Sequence, residues 1–139
     1  MSYLDEYGVA DARREKLQKR SLLTLLTVLV VGGVLYLWFK NYTEESRVNQ
    51  FLAQLERGDY PAAYTFWGCR VESPCPNYDY QNFLEDWGPK SPLGKLRSHR
   101  LGRSREKGSG VEIPLVLNDQ PEVRLWVEKK DGVLGFSPF

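Results

Sequence analysis

The chain has 139 residues, with 19 Lys+Arg against 18 Asp+Glu and only two Cys and one His. That length holds one domain of ordinary size. A net charge of +1 excludes a nucleic-acid binder that works by bulk electrostatics, and three Cys/His side chains are too few for a four-ligand zinc site. The mean hydropathy of −0.46 conceals one strongly apolar block.

Residues 1–20 mix five basic and four acidic groups with Tyr3, Leu4, Tyr7, Val9 and Leu17. Tyr3, Leu4 and Tyr7 have helical spacing and are expected to suit a cytoplasmic or membrane partner. From Ser21 to Phe39 the chain reads SLLTLLTVLVVGGVLYLWF without a charge. At ~1.5 Å per residue this stretch covers about 28 Å, close to the ~30 Å hydrocarbon core of a bilayer. Tyr36 and Trp38 stand at its end, where aromatic rings settle at headgroup level. The run is longer than a signal-peptide core and lacks small residues at its exit, so a retained anchor over 21–40 is expected. Arg13, Arg14, Lys16, Lys19 and Arg20 precede the span, while Lys40 and Arg47 follow it with Glu44 and Glu45 between. The positive-inside rule then leaves the N-terminus in the cytoplasm and residues 41–139 outside it. Gly32-Gly33 permits close approach of another membrane helix.

Cys69 and Cys75 enclose the short loop CRVESPC, a spacing that suits neither a CxxC redox pair nor a metal knuckle. In an oxidising compartment they are expected to pair as a local disulfide, with about 2.4 kcal/mol of chain-entropy stabilisation; two unpaired buried thiols are the other reading.

Beyond the anchor, Val48, Phe51, Leu52 and Leu55 recur at i, i+3, i+4, i+7, predicting an amphipathic helix that Gly58 stops. Asp59 caps a second helix starting near Pro61 and carrying Ala62, Ala63, Phe66 and Trp67. A third begins near Asp79, with Tyr80, Phe83, Leu84 and Trp87 on one face, and ends at Gly88-Pro89. The period then changes to two. Val111, Ile113, Leu115 and Leu117 alternate with Glu112, Pro114, Val116 and Asn118, and Pro114 marks an edge or a bulge. Val123, Leu125 and Val127 alternate with Arg124, Trp126 and Glu128. Asp131-Gly132 reads as a two-residue turn into a final strand, Val133–Phe136. Helices first and strands last predict an α+β domain of about three helices and an antiparallel sheet of about four strands.

The runs FLAQLERGDYPAAYTFW (51–67), YQNFLEDWGPKSPLGKLRSHRL (80–101) and LWVEKKDGVLGF (125–136) resemble small NTF2-like or cystatin-like domains over about residues 44–136. The chain departs from that pattern in its short cysteine loop and in Leu134, where an aromatic is common. The resemblance implies a cone between helices and curved sheet. In enzymatic members that cone holds an Asp or His with Tyr donors, as in the ketosteroid isomerase site.

Asp86 and His99 are therefore the candidate acid/base groups, with Asp79 and Glu85 nearby in sequence and Tyr64, Tyr78 and Tyr80 as donors. HExxH, GxSxG, GxGxxG and phosphate-loop patterns are absent, so the sequence points to no cofactor and no metal. Most of the aromatics Tyr64, Trp67, Tyr80 and Trp87 are expected in the core. Trp126, on the polar phase of its strand, is expected at a contact surface. Lys95, Arg97, Arg100, Arg103, Arg105 and Lys107 form the densest basic segment. On period two, all but Arg100 share a phase, predicting a positive strip for anionic lipid headgroups or an acidic partner, or a solvated face that blocks edge aggregation. The expectation for the whole is a non-enzymatic accessory or scaffold subunit of a membrane complex, single-pass in a bacterial cytoplasmic membrane. The alternatives are an NTF2-like ligand or enzyme pocket and an envelope assembly factor.

Overall fold

The apolar block lies within one helix, α1 (Tyr3–Phe39), 37 residues long in a computed structural model that describes the backbone from Tyr3 and side chains from Gly8 to Phe139. The helix therefore includes the basic segment as well as the uncharged one. The expectation for Tyr3, Leu4 and Tyr7 falls on side chains outside those described. Thr24 and Thr27 return their hydroxyls to the carbonyls of Arg20 and Leu23 at 2.9 Å each, so their polarity is met within the helix. Among the described residues the apolar side chains of its uncharged stretch are exposed, from Val34 at 44% to Trp38 at 76%. Among the described residues this part of the chain supplies the one stretch of helix long and apolar enough to cross a membrane.

Asn41–Phe139 forms a second compact unit. Its first helix, α2 (Tyr42–Arg57), buries Val48, Phe51, Leu52 and Leu55, the stripe read from the sequence. Gly58 ends it in the left-handed conformation at φ 74°, which a side chain would disfavour. Asp59 caps α3 (Tyr60–Thr65) by accepting the Ala62 N–H at 3.2 Å. This helix stops before Phe66 and Trp67, which were expected on it. Trp67 and Gly68 bond back only three residues, a tightened last turn, and Gly68 leaves it at φ 75°. Asp79 caps α4 (Tyr80–Trp87) through the Asn82 N–H, and Phe83 and Trp87 are buried.

Five strands follow: β1 (His99–Leu101), β2 (Arg105–Lys107), β3 (Gly110–Leu117), β4 (Val123–Glu128) and β5 (Leu134–Phe136). All pair antiparallel in the order β1-β3-β4-β5, with β2 on the same side of β3 as β1. The domain is thus α+β. Val111, Ile113, Leu115, Leu117, Leu125, Val127 and Leu134 point to the helical side and join Val48, Phe51, Tyr64, Phe83 and Trp87 in one core. Full burial of each large side chain contributes roughly 1.5–3 kcal/mol. Phe51 sits at the centre, within 5.1–6.3 Å of the rings of Phe66, Trp67, Phe83 and Trp87.

Pro114 is in β3, which has neighbours on both sides, and it stands at a bulge: residues 102–104 face only 113 and 114, so of the two readings the bulge holds and the edge does not. The Pro114 carbonyl accepts the Gly102 N–H at 2.7 Å, so its ring nitrogen also faces the break between β1 and β2, where no ladder bond is required. On the other side it opposes Arg124, whose carbonyl turns away to the Ser137 N–H. Asp131-Gly132 does not make a two-residue turn. Glu128 and Val133 flank a four-residue loop that Gly132 closes at φ 70°, donating to the Glu128 carbonyl at 2.8 Å.

Candidate functional site

Between α4, the β3–β4 connection and β5 lies an apolar cleft of about 250 Å³, lined by Trp87, Leu93, Leu117, Val123 and Phe136 with Asp86 at its polar end. Its volume is just under the ~300 Å³ at which sites for drug-sized ligands begin. Trp87 and Phe136 stack in it at 6.1 Å with planes 10° apart. Ahead of α4, the Cys69–Cys75 disulfide closes a short loop, its Cα atoms 5.3 Å apart. The fully buried Tyr64 fixes this loop, its hydroxyl donating to the Tyr78 carbonyl and accepting the Cys75 N–H at 3.2 Å. A tyrosine at 64 therefore ties a Ser/Pro-rich loop to the core.

Tyr78 donates in turn to Asp86 Oδ2 at 2.8 Å. Burial first, then this hydrogen bond and the Asp86 charge, push the Tyr78 phenol above the usual tyrosine range. It is a committed donor. Burial, ahead of Asp59 and Tyr60, also raises Tyr80, whose ring leans on Tyr64 at 5.4 Å.

The candidate acid/base groups Asp86 and His99 each have a separate partner. His99 Nδ1 lies 2.9 Å from Glu56 Oε1, at the C-terminal end of α2, while Asp86 is occupied by Tyr78. His99 does not line the cleft. Asp79 is spent on its helix cap. The cleft thus offers one carboxylate, already hydrogen-bonded, the Gln120 side chain and an otherwise apolar wall: chemistry for holding an apolar group.

The basic segment also departs from expectation. Arg105 opposes Glu112 and Lys107 opposes Gly110, so both lie on the face away from the helices, whereas His99 opposes the buried Leu117 on the helical face. The break at 102–104 shifts the side-chain phase, and the predicted single-phase strip is divided between two faces. Gly102 is needed there because a Cβ would come within 2.7 Å of the Pro114 ring. Along α2, Glu56 meets His99 and Glu45 accepts from Ser104 at 2.6 Å. Those contacts are eleven residues apart, or about 16 Å of helix. Lys95 and Arg97 therefore lie toward one end of the domain and Arg103 and Arg105 toward the other.

Trp126 is half-buried on the outer face, against Gly110, where a Cβ would meet its ring at 2.5 Å, and 5.5 Å from the Phe139 ring. Beside it the sequence reading missed Glu112, which is 4% exposed although its alternation placed it on the polar phase. Ser137 donates to it, Lys107 Nζ lies at 3.1 Å and Arg124 at 4.0 Å. The Ser137 hydrogen bond, ahead of the two cations, holds its carboxyl below the usual glutamate range against the opposing effect of burial. Asn118 was missed as well. At φ 50° it accepts the Arg97 and Ser98 N–H groups and donates to the Leu93 and Lys95 carbonyls, clamping the segment that leads into β1. A lone Asn after a strand was the available signal, since Asn tolerates the left-handed region.

Comparison of the chain with protein-family models, with curated proteins and with solved structures finds no match in any of the three. What the geometry defines is an α+β domain that holds one disulfide and a small apolar cleft, following a long apolar helix.

Proposed function

We propose that the protein is a membrane-anchored, non-enzymatic interaction module: an NTF2-like domain held outside the cytoplasm by a single span, acting as an accessory or scaffold subunit of a larger membrane complex. The observation that carries this reading is the uncovered apolar surface of α1, joined through only Lys40 and Asn41 to a domain that holds a disulfide. Such a helix needs lipid or another membrane helix around it. The flanking charges favour an N-terminus inside a bacterial cytoplasmic membrane, and a disulfide suits the compartment beyond it. Asp86 and His99 are each engaged with a side chain of the same domain, which supports binding over catalysis.

The test is affinity purification of the full-length protein in mild detergent at native expression, read by mass spectrometry. Stoichiometric membrane partners that survive moderate salt are expected. A monomer of 16.1 kDa plus micelle, without partners, overturns the subunit reading. The apolar cleft favours a second reading, a carrier or sensor of a small apolar ligand. On that reading the purified domain retains a ligand that Val123→Trp excludes while the fold survives.

A further inference from the structure

We propose that Arg103 and Arg105 form a docking patch for the phosphodiester headgroups of anionic lipids, in the membrane that α1 crosses. The inference rests on the span proposed above and adds the surface by which the domain meets the bilayer.

The domain carries 13 Lys+Arg against 14 Asp+Glu, yet six of the cations fall between residues 95 and 107. Within that segment Lys107 is taken by Glu112, whereas Lys95, Arg97, Arg100, Arg103 and Arg105 have no ion-pair partner among the described residues and are all exposed. Cationic side chains in a nearly neutral domain are ordinarily interspersed with acids. Here Arg103 and Arg105 stand together at the break between β1 and β2.

Position selects the occupant. Asn41, the residue that follows Lys40, donates its side-chain N–H to Ser104 Oγ at 3.1 Å, and Ser104 donates to Glu45 in the first turn of α2. Ser104 stands between Arg103 and Arg105, so the patch is fastened to the point where the chain enters the domain. If the apolar helix ends at the bilayer surface, that point is at headgroup depth. The aromatics agree: Tyr36, Trp38 and Tyr42 are 70%, 76% and 61% exposed, as rings at a lipid–water boundary are. Guanidinium groups bind phosphate oxygens in bidentate fashion, and the patch is arginine throughout. Lys95 and Arg97 precede His99, whose contact with Glu56 lies about 16 Å along α2 from the Ser104–Glu45 contact, and they serve as internal controls.

The test places the full-length protein in nanodiscs of phosphatidylcholine alone or with a third phosphatidylglycerol. Hydrogen exchange is followed by mass spectrometry at the amides of Arg103 and Ser104. Phosphatidylglycerol should slow exchange roughly fivefold or more, with the effect lost in R103Q/R105Q and at high salt and kept in K95Q/R97Q. Thermal melts of both variants verify folding, and all the substituted residues are exposed. Equal exchange in the two discs overturns the proposal. So does equal protection in phosphatidylcholine discs by free glycerophosphate or by an acidic peptide, which would assign the patch to a soluble anion or an acidic protein. A chain that fails to enter discs overturns the span itself, a result read separately from lipid composition.

Discussion

Replacing Tyr64 by Phe removes a single oxygen from a fully buried ring and disconnects the disulfide loop from the core. The hydroxyl donates to the Tyr78 carbonyl and accepts the Cys75 N–H, so two backbone groups lose their partner at once. A fully buried unsatisfied group costs about 1–3 kcal/mol; both residues here are half-buried, and water reaches part of the deficit. The expected loss is about 1.5–2.5 kcal/mol. For a domain running Asn41–Phe139, unfolding entropy of ~2.1 cal/mol/K per residue converts this to a fall in Tm of roughly 7–12 °C. Circular-dichroism melts and urea titrations of this domain measure it. The loop should also couple the tyrosine to the disulfide. Cys69→Ser/Cys75→Ser alone should cost about 2.4 kcal/mol, and in that background Tyr64→Phe should cost about 0.5–1 kcal/mol less, because the Cys75 N–H is no longer held in place. A Tyr64→Phe loss under about 0.5 kcal/mol, or additivity within ~0.3 kcal/mol, would refute the assignment of Tyr64 as the loop's anchor.

Glu112 titrates below its unfolded value of 4.5, so its contribution is present above that pH and is lost as pH falls through the folded value. Glu112→Gln should flatten the acid limb of the stability profile below pH 4.5, measured by urea titration. Tyr78 is shifted the opposite way. The folded form keeps its proton above pH 10.0 while the unfolded form loses it, so stability should decline above that pH, less steeply in Tyr78→Phe. Gly110→Ala places a Cβ 2.5 Å from both the Trp126 ring and the Val127 carbonyl, and should cost about 2–3 kcal/mol, whereas Gly135→Ala meets nothing within 4 Å and should stay within about 0.5 kcal/mol. Asn118→Ala should cost about 2 kcal/mol, and Asn118→Gly, which removes the backbone conflict at φ 50° but restores none of the four hydrogen bonds, should recover only a minor part.

The helices were legible because their signals are local. The stripe Val48, Phe51, Leu52, Leu55 and the caps Asp59 and Asp79 act within one or two turns, and each is found where its residues place it. The buried phases of β3 and β4 were legible for the same reason. What escaped depends on residues far apart in the chain. Glu112 is buried by Ser137, 25 positions away, and a period-two pattern records only which side of a strand a residue takes. The phase reset at 102–104 follows from the Pro114 ring crowding Gly102, a contact that the arginine spacing could not report. His99 and Asp86 were grouped as the acid/base pair that the resemblance implies for the cone, yet Glu56 on α2 and Tyr78 before α4 claim them.

The short strands at both borders of the sheet limit how another polypeptide can associate with it. One border consists of β1 and β2, three residues each, separated by a kink; the other is β5, also three residues, whose outward Leu134 N–H is already bonded to the Phe66 carbonyl at 2.9 Å. Neither border offers a foreign strand an uninterrupted ladder, so the sheet is closed to growth by strand addition and to the aggregation that uses the same geometry. A protein that recognises this domain must therefore read side chains, and its binding should be erased by substitutions on a face rather than by prolines placed along a border.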